Sequence, residues 1–209
     1  MAVATINEVA KSSEVLKVIY ERRSVRRYKD IPVSKEIIGQ IIDAGRMAPS
    51  AHNVQPWKFY ILTQRETIRA FSKEIAKAVS KELIKTGPMG AVKIVAGALY
   101  KLHIGDLTKG PDPVFHNAPV VVFITAATEN NEWAIYDINM CAQNMMLAAK
   151  SLGIDSCPLG IGKYVEHTKI FHKLQVSYPD HVQLALIFGY GDETPKAHKR
   201  IRDNAFYID

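Results

Sequence analysis

Cysteine is scarce in this chain, with two among 209 residues, Cys141 and Cys157. Two cysteines cannot build a disulfide framework, and their separation has no metal-ligand spacing. The absence of a CxxC-type cluster argues against an iron–sulfur module. No apolar run is long enough to span a bilayer, so no membrane partner is expected. Neither the GxGxxG fingerprint nor a GK[ST] phosphate loop is present, so a nucleotide would have to be held in some other way. The opening residues, MAVATINEVAKSSEVLK, lack the basic start, apolar middle and small-residue exit of a secretory signal, and the expectation is a cytoplasmic protein. Repeats, low-complexity tracts and linkers are also missing. A chain of this length then reads as one domain, 1–209, able to bury a full core.

What is present is an ordinary globular balance with a basic excess, 27 Lys and Arg against 21 Asp and Glu, for a net charge of +6. Excess positive charge can serve nucleic acid. Here aromatic and basic residues do not interleave as a base-stacking platform requires, and no nucleic-acid partner is expected. The cations form two local clusters. One is Arg22, Arg23, Arg26, Arg27 and Lys29; the other is Lys196, His198, Lys199, Arg200 and Arg202. Clusters near opposite ends of a chain suit a shared anion such as a phosphate, and each also suits a solvated face.

Hydrophobic periodicity predicts helices over 12–21 and from Ser34, a good N-cap, to about Met47, with Ile37, Ile38, Ile41 and Ile42 at helical spacing. A strand is predicted over 58–62 and a charged amphipathic helix over 64–85, broken by Gly87 and Pro88. A helix near 92–102 and a long loop over 103–116 follow. The run PVVVFIT, 119–125, predicts a buried strand. Residues 132–152 predict a long helix that is apolar on most sides, either central in the core or covered by another subunit, and capped by Gly153. A short strand over 154–159, a helix over 165–174 and a last core strand over 182–190 complete an α+β pattern in one domain.

Four stretches carry chemistry. In RRSVR, Arg22, Ser24 and Arg26 fall on one side of an extended chain, giving two guanidiniums and a hydroxyl suited to a phosphate, or else a solvated basic turn. In APSAHNVQPW, Ser50, Asn53 and Gln55 offer amide and hydroxyl groups between Pro49 and Pro56, suited to the pyrimidine edge of a flat ring, or else to capping their own loop. In SCPLGIGKY, Pro158, Gly160 and Gly162 allow close approach of backbone to a ligand. Last comes GYGDETPKAHKR, a strand exit followed by basic residues.

In this order and spacing, RRSVRRY, APSAHNVQPWKFYILT, SLGIDSCPLGIG and LALIFGYGDETPKAHKR resemble the nitroreductase family of FMN-dependent oxidoreductases over roughly 16–200. The stretch 86–117 matches poorly. The resemblance implies a central, mostly antiparallel sheet flanked by helices, in an intertwined homodimer with FMN at the interface. It implies that Arg22, Arg23, Ser24 and Arg26 take the phosphate and the polar edge of the ring. Pro49, Ser50, Asn53 and Gln55 would come from the partner chain. Pro158, Leu159 and Gly160 would lie over the ring with a backbone N–H near flavin N5, and Lys196 and Lys199 would close on the phosphate, with His198 where an Arg is often found. The implied reaction is ping-pong transfer of hydride from NADH or NADPH to nitroaromatics, quinones or related acceptors. No side chain need act as an acid; His52 and His116 are the candidates if one does. Relatives that dehalogenate, oxidise heterocycles or cleave flavin leave a specialised flavin reaction open, and a non-catalytic flavin-binding protein is a further alternative.

Overall fold

The computed structural model describes residues 13–94, 110–129, 131–201 and 203–208, the side chains of 83–94 excepted. Helices α1 (Glu14–Glu21) and α2 (Lys35–Arg46) precede strand β1 (Lys58–Leu62). Helix α3 (Arg65–Ile94), strand β2 (Val120–Ala127) and helix α4 (Ala134–Ser151) follow. Strand β3 (Asp155–Leu159), two 3-10 segments (Gly160–His167 and Phe171–Leu174) and strand β4 (Asp180–Gly189) end the regular structure. Each strand pairs antiparallel with its neighbours, in the order β1-β2-β4-β3.

The run read as a buried strand is β2, and its alternation explains why it is apolar throughout. Val120, Val122, Ile124 and Ala126 enter a core under α2 and α4, with Ile41, Ile138 and Met145. Val121 and Phe123 enter a second core on the opposite face, with Phe71 and Ile75 of α3 and with Ile161 and Val165. A strand covered on both faces has no wet side on which to place polar residues. Burying each of the Val, Ile, Phe and Met side chains among these stabilises the fold by roughly 1.5–3 kcal/mol.

Local signals set the helix ends. The Ser34 hydroxyl accepts the Ile37 N–H at 3.3 Å and starts α2. At the end of α4, Gly153 adopts φ +76°, its N–H donates to Lys150 O at 3.1 Å, and Ile154 N–H donates to Ala149 O at 2.8 Å. That double bond pattern is a Schellman closure, and it turns the chain directly into β3.

Two expectations are corrected. Helix α3 runs on to Ile94 through Gly87 and Pro88, so the proline does not stop it. A proline removes one donor, and the neighbouring turns can carry the helix past it. The helix predicted over 165–174 is instead a pair of 3-10 segments. Thr168 is extended and its hydroxyl donates to Val165 O at 2.6 Å, which ends the first segment before an α-helix can propagate. Of the helix predicted near 92–102, residues 92–94 belong to α3 and the rest lies outside the described residues, as does 103–109 of the predicted loop.

Candidate functional site

The RRSVR segment leaves α1 as extended chain and lies along β3. Ser24 bridges Ser156 in parallel, and Val25 N–H donates to Ser156 O at 3.0 Å. On its other side the segment meets the exit of β4. Tyr28 bridges Gly191, Lys29 N–H donates to Tyr190 O, and Asp192 N–H donates to Arg27 O. Val25 and Tyr28 are buried in the core, while Arg26 and Arg27 between them stay exposed. Tyr28 donates its hydroxyl to Val25 O at 2.6 Å, and burial pushes its phenol well above the ordinary range.

Next to the Ser24–Ser156 bridge stands Cys157, a fully buried thiol whose Sγ lies 3.6 Å from Pro158 O. Burial raises this thiol above its ordinary value, against the opposing pull of Arg26, the Ser24 hydroxyl and Arg22, in that order. Arg22, Ser24, Arg26 and the start of β3 therefore share one neighbourhood. Two polar atoms there are buried with no hydrogen-bond partner among the described residues, Arg22 Nη1 and Ser156 Oγ. An unpaired guanidinium nitrogen removed from water carries a desolvation cost that an anion would relieve. Beyond β3, Gly160 has nothing within 4 Å of the position a side chain would take, so its backbone faces open space. Arg23 is committed elsewhere: its Nη1 donates to Tyr20 O at 2.6 Å and Arg22 O at 2.8 Å, closing the end of α1.

The loop after α2 is held in an unusual backbone. His52, Asn53 and Gln55 have φ of 52°, 55° and 50°, the left-handed region that residues other than glycine rarely enter. Such conformations cost about 1–3 kcal/mol each and need outside support. Ser50 Oγ accepts the Gln55 N–H at 2.9 Å, and Gln55 Nε2 donates to Asn53 Oδ1 at 3.1 Å. The Asp137 carboxylate, buried in the first turn of α4, accepts the Ala51 N–H at 3.2 and 3.3 Å. Pro49, Asn53 and Gln55 remain exposed.

One chain does not bring this loop to the Arg22 seam. The loop enters β1 at Lys58, in the row of Thr125 and Val182, whereas Ser24 sits in the row of Ser156, Phe188 and Val120. These rows are five β2 residues apart, and β1 and β3 are the two edge strands of the sheet. At about 3.4 Å per residue and about 4.8 Å per strand, the two segments stand at opposite corners, more than roughly 20 Å apart. Lys196 and Lys199 lie in an exposed tail without regular structure, and no described contact joins them to Arg22; Arg202 of the same cluster is outside the described residues.

Sequence reasoning missed the acidic partners. Glu193 Oε1 accepts the Arg26 N–H at 2.6 Å, and the Asp192 carboxylate lies 3.7 Å from Arg27 Nε, while the same guanidinium donates from Nε and Nη2 to the Asp192 main-chain carbonyl at 3.0 and 2.8 Å. The DE pair within GYGDETP was the available signal. For Asp137 the signal was a lone carboxylate on the apolar face of a helix.

A model of the Nitroreductase family matches residues 19–190, and the chain belongs to that family. Among curated relatives, a 4-nitrobenzoate reductase of Pseudomonas putida is 25% identical over 203 residues, covering 84% of this chain and 85% of its own. A protein of Archaeoglobus fulgidus whose name carries NADH dehydrogenase and NAD(P)H nitroreductase is 28% identical over 178 residues, covering 85% and 84%. A solved nitroreductase with bound FMN from Desulfitobacterium hafniense superposes with a TM-score of 0.77 at 22% identity, covering 94% of this chain and 99% of that one. That likeness establishes the nitroreductase fold.

Proposed function

We propose that the protein is an FMN-dependent oxidoreductase that passes hydride equivalents from NADH or NADPH to nitroaromatic, quinone or related acceptors in a ping-pong sequence. The observation that carries this reading is the buried, unpartnered Nη1 of Arg22 beside Ser24 and the Ser156 hydroxyl, in a chain of the nitroreductase family. When bound, FMN supplies the redox chemistry, and the protein supplies orientation and electrostatics.

The residues present fit such a group. Arg22 and Ser24 would hold the phosphate and the polar edge of the ring by charge-assisted hydrogen bonds. Arg26, exposed beside Cys157, would place positive charge where negative charge gathers. Pro158, Leu159 and Gly160 would form the floor, with Gly160 exposed and open space where its side chain would stand. Lys196 and Lys199 would add charge at the phosphate.

A second copy of the chain completes the site in this proposal. Pro49, Ser50, Asn53 and Gln55 are too far from Arg22 within one chain to touch the same ligand. A two-fold partner would deliver its own loop across the interface. The start of α4 offers the contact surface, since Trp133 just before it and Ile135, Tyr136 and Met140 on it are exposed although much of the helix is buried in the core.

The test is an absorption spectrum of the purified protein, before and after anaerobic addition of NADH and then NADPH. A flavin spectrum that bleaches with one of them and returns on adding a quinone or nitroarene supports the proposal and names the donor. Colourless protein that takes up no added FMN would refute it. Bound flavin that neither nucleotide bleaches would favour a non-catalytic flavin carrier.

A further inference from the structure

A separate cavity of about 330 Å³ opens where the turn before α2, the corner between β1 and α3, and the loop entering β2 come together. Val33, Ile38, Ile68 and Ala118 give it apolar walls, and Lys35, Arg65 and Arg69 bring positive charge. None of these residues belongs to the Arg22 seam or to the 49–56 loop. The volume lies at the low end of the range for pockets that enclose small organic ligands.

The charges in this cavity are unequally matched. Asp30 forms an ion pair with Arg65 at the surface. Asp112 is buried, and its carboxylate accepts the Phe115 and Asn117 N–H groups at 2.9 Å each, closing a turn whose residues His116 and Asn117 both have φ 58°. Both carboxylates are therefore engaged. Arg69 receives neither: its Nε is buried and has no acceptor among the described residues. A guanidinium donor removed from water without an acceptor is costly, and a planar two-oxygen acceptor matches its fork.

We propose that this cavity binds a small organic carboxylate with an aromatic or branched apolar body. The carboxylate would pair with Arg69, with Lys35 adding positive charge, and the body would lie against Ile38 and Ile68. A free phosphate fits less well. It would leave the apolar walls unfilled and bring a second negative charge towards Asp30 and Asp112. The site is independent of any flavin at Arg22.

The probe is 4-bromobenzoate, soaked into crystals of the protein as purified and, in parallel, titrated calorimetrically into wild type, Arg69→Met and Arg69→Lys. The expected result is anomalous bromine signal between Ile38 and Ile68. Affinity should fall at least about tenfold in Arg69→Met, less in Arg69→Lys, with the thermal midpoint and flavin content unchanged. Equal affinity in wild type and Arg69→Met would overturn the proposal. So would bromine found only elsewhere, such as over residues 158–160, or none at saturating probe. Inorganic phosphate binding more tightly than 4-bromobenzoate would overturn the assignment of the ligand. Should Arg69→Met fail to fold, the bromine position in wild-type crystals decides alone.

Discussion

Asp137 holds Ala51 from 86 positions away: its carboxylate accepts the Ala51 N–H at 3.2 and 3.3 Å. This bond ties the first turn of α4 to the loop whose residues 52, 53 and 55 occupy the left-handed region. The loop is strained, and Asp137 is its buried anchor. Asp137→Asn keeps the shape and one acceptor oxygen but removes the charge. Asp137→Ala removes the acceptor altogether and should lower stability by about 1.5–3 kcal/mol. Urea unfolding of both variants checks this, with Asn expected between wild type and Ala. An Ala variant as stable as wild type would mean that the loop holds its own conformation.

Arg22 tests the flavin reading directly. Arg22→Ala removes the unpartnered Nη1 together with its charge, and FMN affinity should drop at least about tenfold while the fold is retained. Arg23→Ala is the matched control, because that guanidinium is spent on Tyr20 O and Arg22 O. It should lose α1 stability more than flavin. The two variants are compared by flavin fluorescence after ultrafiltration and by thermal midpoint. Equal flavin loss in both would remove the distinction drawn here between the two arginines.

How much of this was legible in the sequence depended on how local the cause was. Ser34 and Gly153 are read from a few neighbouring residues, and both ends formed as expected. The apolar run of β2 announced burial on both faces, because a strand with a wet side would alternate. The family resemblance singles out Arg22, Ser24 and Arg26 and, separately, 158–160, but the bridge from Ser24 to Ser156 that joins the two segments was not legible from spacing. What escaped is long-range. Arg26 and Glu193 are 167 positions apart, so the DE pair of GYGDETP shows that carboxylates are at hand but not which residue they meet. The Arg69 cavity is assembled from three separate segments, and Arg69 itself reads as one more charge on an amphipathic helix. The 3-10 segments of 160–174 escaped because apolar spacing alone does not separate them from an α-helix.

Both thiols should be inert in the native protein. Burial pushes Cys141 up to about 12 from its ordinary value of 9.0 and raises Cys157 as well. The thiolate is the reactive form, so neither should react with a thiol-exchange reagent at pH 8 until the chain unfolds. The sign for stability follows. Between pH 9 and 12 the unfolded chain loses the Cys141 proton while the native chain keeps it, so stability falls with rising pH in that window and is fully present below it. Denaturation midpoints at pH 8, 9 and 10 should decline in that order, and Cys141→Ala should flatten the decline. Rapid labelling of native protein at pH 8 would contradict the burial of both residues.

The exposed face of α4 gives the sharpest test of assembly. Trp133, the residue before α4, and Ile135, Tyr136 and Met140 on it are 40–63% exposed, although much of the helix packs into the core. Apolar side chains in such a group normally mark an interface. In the proposed flavin site, the separation of the 49–56 loop from Arg22 also calls for a second chain. Light scattering should therefore report about twice the 23.3 kDa chain mass for wild type. Tyr136→Glu would place a charge in the interface and shift the population towards a single chain. If flavin sites are shared, that variant should lose flavin in proportion to lost dimer, although Tyr136 is not among the residues assigned to hold it. A monomeric wild type that retains full flavin would overturn the shared site, and a dimeric Tyr136→Glu that retains flavin would move the interface off this face of α4.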